Sequence, residues 1–170
     1  MSKQITNKNT AIEKLKKGSL LTAVICAAAA LADLYGAFCS VYICLSDQFG
    51  MIAGTRFQAV EIFTAFVIVA GIVLTAGIMF FRIAGNGIPF TEQTVRSLNI
   101  IGILFMLRAI LPPLAGTLIS GSEAFHIAHP DLFSLIITGF YTVIEGLMFL
   151  FIANIIHYGS MLQLESDETL

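Results

Sequence analysis

Residues 57–81 read FQAVEIFTAFVIVAGIVLTAGIMFF, a run whose one charged side chain is Glu61. As a helix rising about 1.5 Å per residue, this run exceeds the roughly 30 Å hydrocarbon core of a bilayer. A strand reading fails, because membrane strands are about ten residues long and alternate between apolar and polar positions. In lipid every backbone N–H and C=O must be satisfied within the segment, which leaves a helix. Working outward, three more apolar stretches of spanning length occupy 19–45, 97–119 and 132–156. The expected fold is therefore all-α, an integral membrane bundle of four transmembrane helices joined by short loops. One membrane domain covers 1–170, with polar tails at 1–18 and 157–170.

Composition points the same way. The hydrophobic fraction is 57% against 12% charged residues, and mean hydropathy is +0.89, outside the range of water-soluble domains. The formal net charge is -2 and no dense basic block stands on a foldable soluble segment, so direct nucleic-acid binding is not expected. Cys26, Cys39 and Cys44 match no zinc or thioredoxin-like spacing and read as small apolar packing residues. The basic start and the alanines at 27–30 also have the look of a secretory signal, but the apolar run continues to Leu45, too far for one.

Lys and Arg set the orientation. The N-terminal tail carries Lys3, Lys8, Lys14, Lys16 and Lys17, and the second loop has Arg82 and Arg96; the first loop has Arg56 and the third none. The positive-inside rule places both termini and the second loop in the cytoplasm, giving a multi-pass cell-membrane protein whose first partner is the lipid bilayer. In the second loop, glycines at 85 and 87 end one helix and Thr91 caps the next, with Glu92 where the helix dipole favours an anion.

The informative residues are the charges inside the spans. Asp33, Arg108 and Glu145 each fall about halfway along a span, where an unpaired charge costs roughly 2.5–3.5 kcal/mol on insertion scales. They are expected to face inward as one intramembrane cluster, with an Arg108–Glu145 ion pair and Asp33 as a second partner or a neutral donor. Asp33 sits among small residues on a face suited to close packing. Tyr141, Thr142 and Thr138 form a hydroxyl ladder beside Glu145. Pro112 and Pro113 withhold the N–H groups that would bind the carbonyls of Arg108 and Ala109, which predicts a kink at the charged residue. Glu61, near the outer end of its span, reads as an interfacial anchor beside Arg56. In the third loop Glu123, His126, His129 and Asp131 are able to ligate a metal or sense pH. Their spacing matches no specific metal pattern, and an exposed loop ending in Pro130 and a capping Asp131 accounts for them. No nucleophile–base pair or metalloprotease run is present, so neither an enzyme nor a cofactor is expected.

Two segments carry a family likeness: Gly87-Ile88-Pro89-Phe90-Thr91-Glu92 leading into the third span, and the ending from Tyr158 to Leu170 that includes Leu162, Gln163, Glu165, Asp167 and Glu168. With the Glu145-Gly146 step, they make the chain resemble the domain-of-unknown-function 2975 family of small four-span bacterial membrane proteins. The resemblance implies no activity. Members often stand beside a small helix-turn-helix transcription regulator, which implies a cytoplasmic partner docking on these two segments. The chain departs from the family pattern at Gln93, Thr94 and Ser97, where charges are usual, and at His157, where an Arg is common. Three functions follow as expectations. The first is a regulatory or sensing membrane protein. The second is a small transporter or channel subunit, a homo-oligomer with a polar path at the midplane charges, and the third a structural or immunity-type protein with no small-molecule ligand, its charges serving only assembly.

Overall fold

The computed structural model describes residues 2–45, 53–129 and 131–168. They form five helices and, among the described residues, no strand: α1 (Ser2–Leu45), α2 (Ala53–Asn86), α3 (Glu92–Ser120), α4 (Ser122–Ala128) and α5 (Leu132–Glu168). Four of these carry segments long and apolar enough to cross a membrane, Thr10–Ile43, Arg56–Asn86, Glu92–Ser120 and Leu135–Leu162. The bilayer reading is reinforced by what faces outward: Leu31, Phe38, Leu118 and Phe133 are 68–78% exposed, a continuous apolar surface that water does not tolerate. Both polar tails continue as helix, α1 from Ser2 and α5 to Glu168.

Helix ends follow their local chemistry. Gly87 adopts φ +70 and its N–H bonds the Ile83 carbonyl, ending α2; a side chain there is strained by that backbone angle. The Thr91 hydroxyl accepts from the Thr94 N–H at 3.2 Å, and Glu92 lies in the first turn of α3, so the expected cap is present. Asp131 likewise accepts from the Phe133 N–H at 3.1 Å and caps α5. Residues 46–52 and Pro130 lie outside the described residues, as do the side chains of Cys44, Gln163, Asp167 and Glu168.

Packing follows an open order: α1 on α2, α2 on α3, α3 on α5, with α4 against α2 and α3 and, among the described residues, no comparable packing between α1 and α3 or α5. The residues of α2 explain this. Gly36 of α1 meets the Phe66 ring and Cys26 meets Gly77, whereas Ile68, Ile72, Met79 and Ile83 join clusters with α3 and α5. At about 100° per residue, Phe66 and Gly77 lie on one side of α2 and the four apolar residues on the other. The helix is thus sandwiched. On α1 the matching stripe is Ser19, Ala23, Cys26, Ala30, Asp33, Ala37 and Ser40, spaced alternately by four and three residues, buried or half-buried throughout. Small side chains let the two backbones approach.

The α3–α5 contact is close at a pair of glycines. A Cβ on Gly102 would lie 2.9 Å from the Gly146 carbonyl oxygen, and one on Gly146 would lie 2.7 Å from the Gly102 carbonyl oxygen. On the side of this crossing toward the α2–α3 turn, Met79, Ile83, Val95, Leu98 and Ala153 form a buried cluster.

Candidate functional site

Two adjacent prolines mark the site. Pro112 and Pro113 lie inside α3, which stays helical through them to Ser120. The carbonyls of Arg108 and Ala109 lose their usual donors there. Around this turn a cavity of about 460 Å³ opens between α2, α3 and α5. Glu61, Arg108, Thr138 and Thr142 supply its polar lining; Ile62, Ala65, Leu135 and Ile136 supply apolar wall. Opposite α3, Gly139 contributes no side chain, and a Cβ there would meet nothing within 4 Å.

One to two turns further toward the α2–α3 turn, beyond the residues that line the cavity, lies a packed floor. Ile68, Ile72 and Ile101 cluster with Leu104, Phe105 and Phe149, and the last two rings stack with centroids 5.3 Å apart and planes 9° from parallel. This packed layer stands between the cavity and the α2–α3 turn.

Beyond its other end, α4 packs against α2 and α3. Phe57 is fully buried, with edge contacts to Phe125 at 5.7 Å and to the His129 ring at 5.5 Å. It fits because position 116 is glycine, where a Cβ would sit 2.7 Å from the Phe57 ring. The Phe125 ring also holds His129, at 5.2 Å. So fixed, His129 brings Nε2 to 3.0 Å from Glu61 Oε2, with both side chains about 20% exposed. A hydrogen bond to an ionised or partly buried carboxylate is among the stronger ones available. The two ion pairs of Lys and Arg described, Lys17–Glu13 and Arg96–Glu92, are exposed and lie within single helices.

This corrects the expected charge arrangement in four respects. Arg108 and Glu145 form no ion pair: among the described residues neither has a polar partner, and nor does Asp33. Asp33 does lie on a packing face, as its small neighbours suggested, but that face meets α2, with no approach to Arg108. Glu145 is exposed on the flank of α5 and Tyr141 is 63% exposed. The hydroxyl ladder does not serve Glu145, because the Thr142 hydroxyl donates to the Thr138 carbonyl at 2.9 Å, and Thr142 lines the cavity instead. Glu61 pairs with His129 in place of Arg56, and the third loop is largely the helix α4. Glu123 and His126 are exposed on it, and among the described residues no group of three metal-ligating side chains gathers.

The expected docking segments share the opposite end of the molecule. Phe90 is 44% exposed beside Pro89, and Glu92 is exposed in its pair with Arg96. Leu162 and Glu165 are exposed on the last turns of α5. Sequence reasoning missed the Glu61–His129 contact and the cavity. A usable signal was present, since Glu61 lies near the end of its span that faces the third loop, and His129 lies in that loop. No family model, curated protein or solved structure matches the chain.

Proposed function

We propose that the chain is a regulatory membrane protein of the cell membrane, with both termini in the cytoplasm, which couples the occupancy of its intramembrane cavity to a cytoplasmic partner. The observation that carries this reading is the arrangement of α3 and α5. The two helices line the cavity through Arg108, Thr138 and Thr142, cross at Gly102 and Gly146, and end in the two exposed segments on the far side of the crossing. A tight crossing with an unfilled gap on one side works as a pivot: a change in spread at the cavity alters the relation of Glu92 to the α5 C-terminus. A second packing of the same helix pair, with the gap filled, would give the bistable element that a regulator requires. The partner class, a helix-turn-helix transcription regulator, comes from the resemblance to the 2975 family.

A small oligomeric transporter is the second reading, favoured by Asp33 and Glu145, which have no polar partner among the described residues and which a neighbouring copy can complete. The packed floor of Phe105 and Phe149 weighs against a path through one chain. The deciding experiment is recovery of the tagged protein from its own membranes, comparing the full chain with one lacking 161–170. A DNA-binding regulator lost on truncation is the expected result; an unchanged set of bound proteins contradicts the regulatory reading.

A further inference from the structure

Resting on the cavity as the input site, we propose that its ligand is a monoanionic amphiphile: one carboxylate head on an apolar body. Arg108 lines the cavity and has no polar partner among the described residues. A guanidinium always carries its charge and presents a planar fork of donors that matches a carboxylate in two parallel hydrogen bonds. The nearest candidate within the cavity, Glu61, does not come within ion-pair distance of it, being held by His129 at 3.0 Å. One cation therefore stands open in a pocket whose own carboxylate is engaged elsewhere.

The same geometry limits the ligand to a single negative charge. Arg108 is the one cationic side chain in the lining, so a second anionic group in this space would be left without a counter-charge. That disfavours dicarboxylates and phosphate dianions. The body must be apolar, because Ile62, Ala65, Leu135 and Ile136 make the walls. A volume of about 460 Å³ is within the common range for small-molecule sites, which are mostly apolar with a few converging polar groups. The floor beneath is packed, so the ligand enters and leaves at the α4 end or sideways from lipid, and does not pass through. Two sources offer this chemistry: a fatty acid from the bilayer, or a lipophilic weak acid from water.

The test uses the full chain in phosphatidylcholine nanodiscs, with binding of labelled oleate and, separately, labelled benzoate measured against empty discs. Saturable binding of one of the two acids is expected, at one per chain, and which acid binds identifies the source. Oleyl or benzyl alcohol should not compete. Arg108→Gln should weaken binding at least tenfold, with Arg108→Lys between the two. Ala65→Phe, which fills the cavity and leaves the charge in place, should abolish it; Arg82→Gln, outside the cavity, should leave it unchanged. Should Arg108→Gln fail to assemble, Ala65→Phe decides. The proposal is overturned if neither acid binds saturably, if the alcohols compete equally, or if Ala65→Phe and any assembled Arg108→Gln protein bind like the parent. Acid binding that leaves partner recovery unchanged would sink the regulatory reading alone.

Discussion

The two halves of the α3–α5 pair are built from the same helices and packed in opposite ways. From Gly102 and Gly146 toward the α2–α3 turn, a Cβ on either glycine would strike the other backbone, and Leu98, Val95 and Ala153 are buried against α2. From the same crossing toward α4, Gly139 faces open space, Pro112 and Pro113 interrupt the hydrogen-bond ladder, and Glu61, Arg108, Thr138 and Thr142 surround a cavity. In a bilayer, helices associate by close packing and by polar contacts, since lipid is as apolar as leucine. The first half uses close packing. The second keeps its polar groups around a gap that packing leaves unfilled, which is the difference between a scaffold and a site.

The largest expected effect comes from removing the buried ring one turn from Glu61 on α2. Phe57→Ala deletes a fully buried ring from between Gly116, Phe125 and His129 and should lower stability by about 3–5 kcal/mol in equilibrium unfolding from mixed micelles. Next, the contrast between the halves is tested directly by two leucines on one helix. Gly146→Leu should cost about 1–3 kcal/mol by overpacking, while Gly139→Leu should be near neutral; equal losses would show that the two halves are packed alike.

The polar contacts come lower in the order. His129→Ala leaves Glu61 half-buried without its partner and should cost about 1–2 kcal/mol, with Glu61→Gln nearer to neutral because an amide still bonds the ring. Thr91→Ala removes the α3 cap and should cost about 1 kcal/mol. Smallest is Arg96→Gln: its pair with Glu92 is three-quarters exposed, and a loss within about 0.5 kcal/mol is expected. A larger loss would mean that the α2–α3 turn end is held by charge as well as by packing.

Much of this architecture was legible in the sequence, and the reasons are local. The apolar run at 57–81 exceeds a bilayer whatever its neighbours do, and Thr91 and Asp131 cap helices through contacts two or three residues away. The site was legible only in part. Arg108, Thr142 and Pro112 were singled out and do meet in one cavity. Glu145 and Asp33 did not join them, because position along a span fixes depth and leaves open the side of the helix on which a residue faces. That depends on which helices are neighbours, and an open row separates α1 from α3 where a closed ring would bring them near. The Glu61–His129 contact spans 68 residues and relies on α4, a seven-residue helix without a strong periodic signal.

The central claim is that α3 and α5 pivot at Gly102 and Gly146, so that the cavity and the far end move together. Spin-label distances test it most directly, with one label pair at positions 118 and 133 beside the cavity and another at 96 and 158 beyond the crossing, in a chain freed of its three cysteines. Filling the cavity with Ala65→Phe should lengthen the first distance and shift the second in the same protein. If the first changes and the second does not, the crossing is a rigid clamp, and the two ends of the molecule are not coupled.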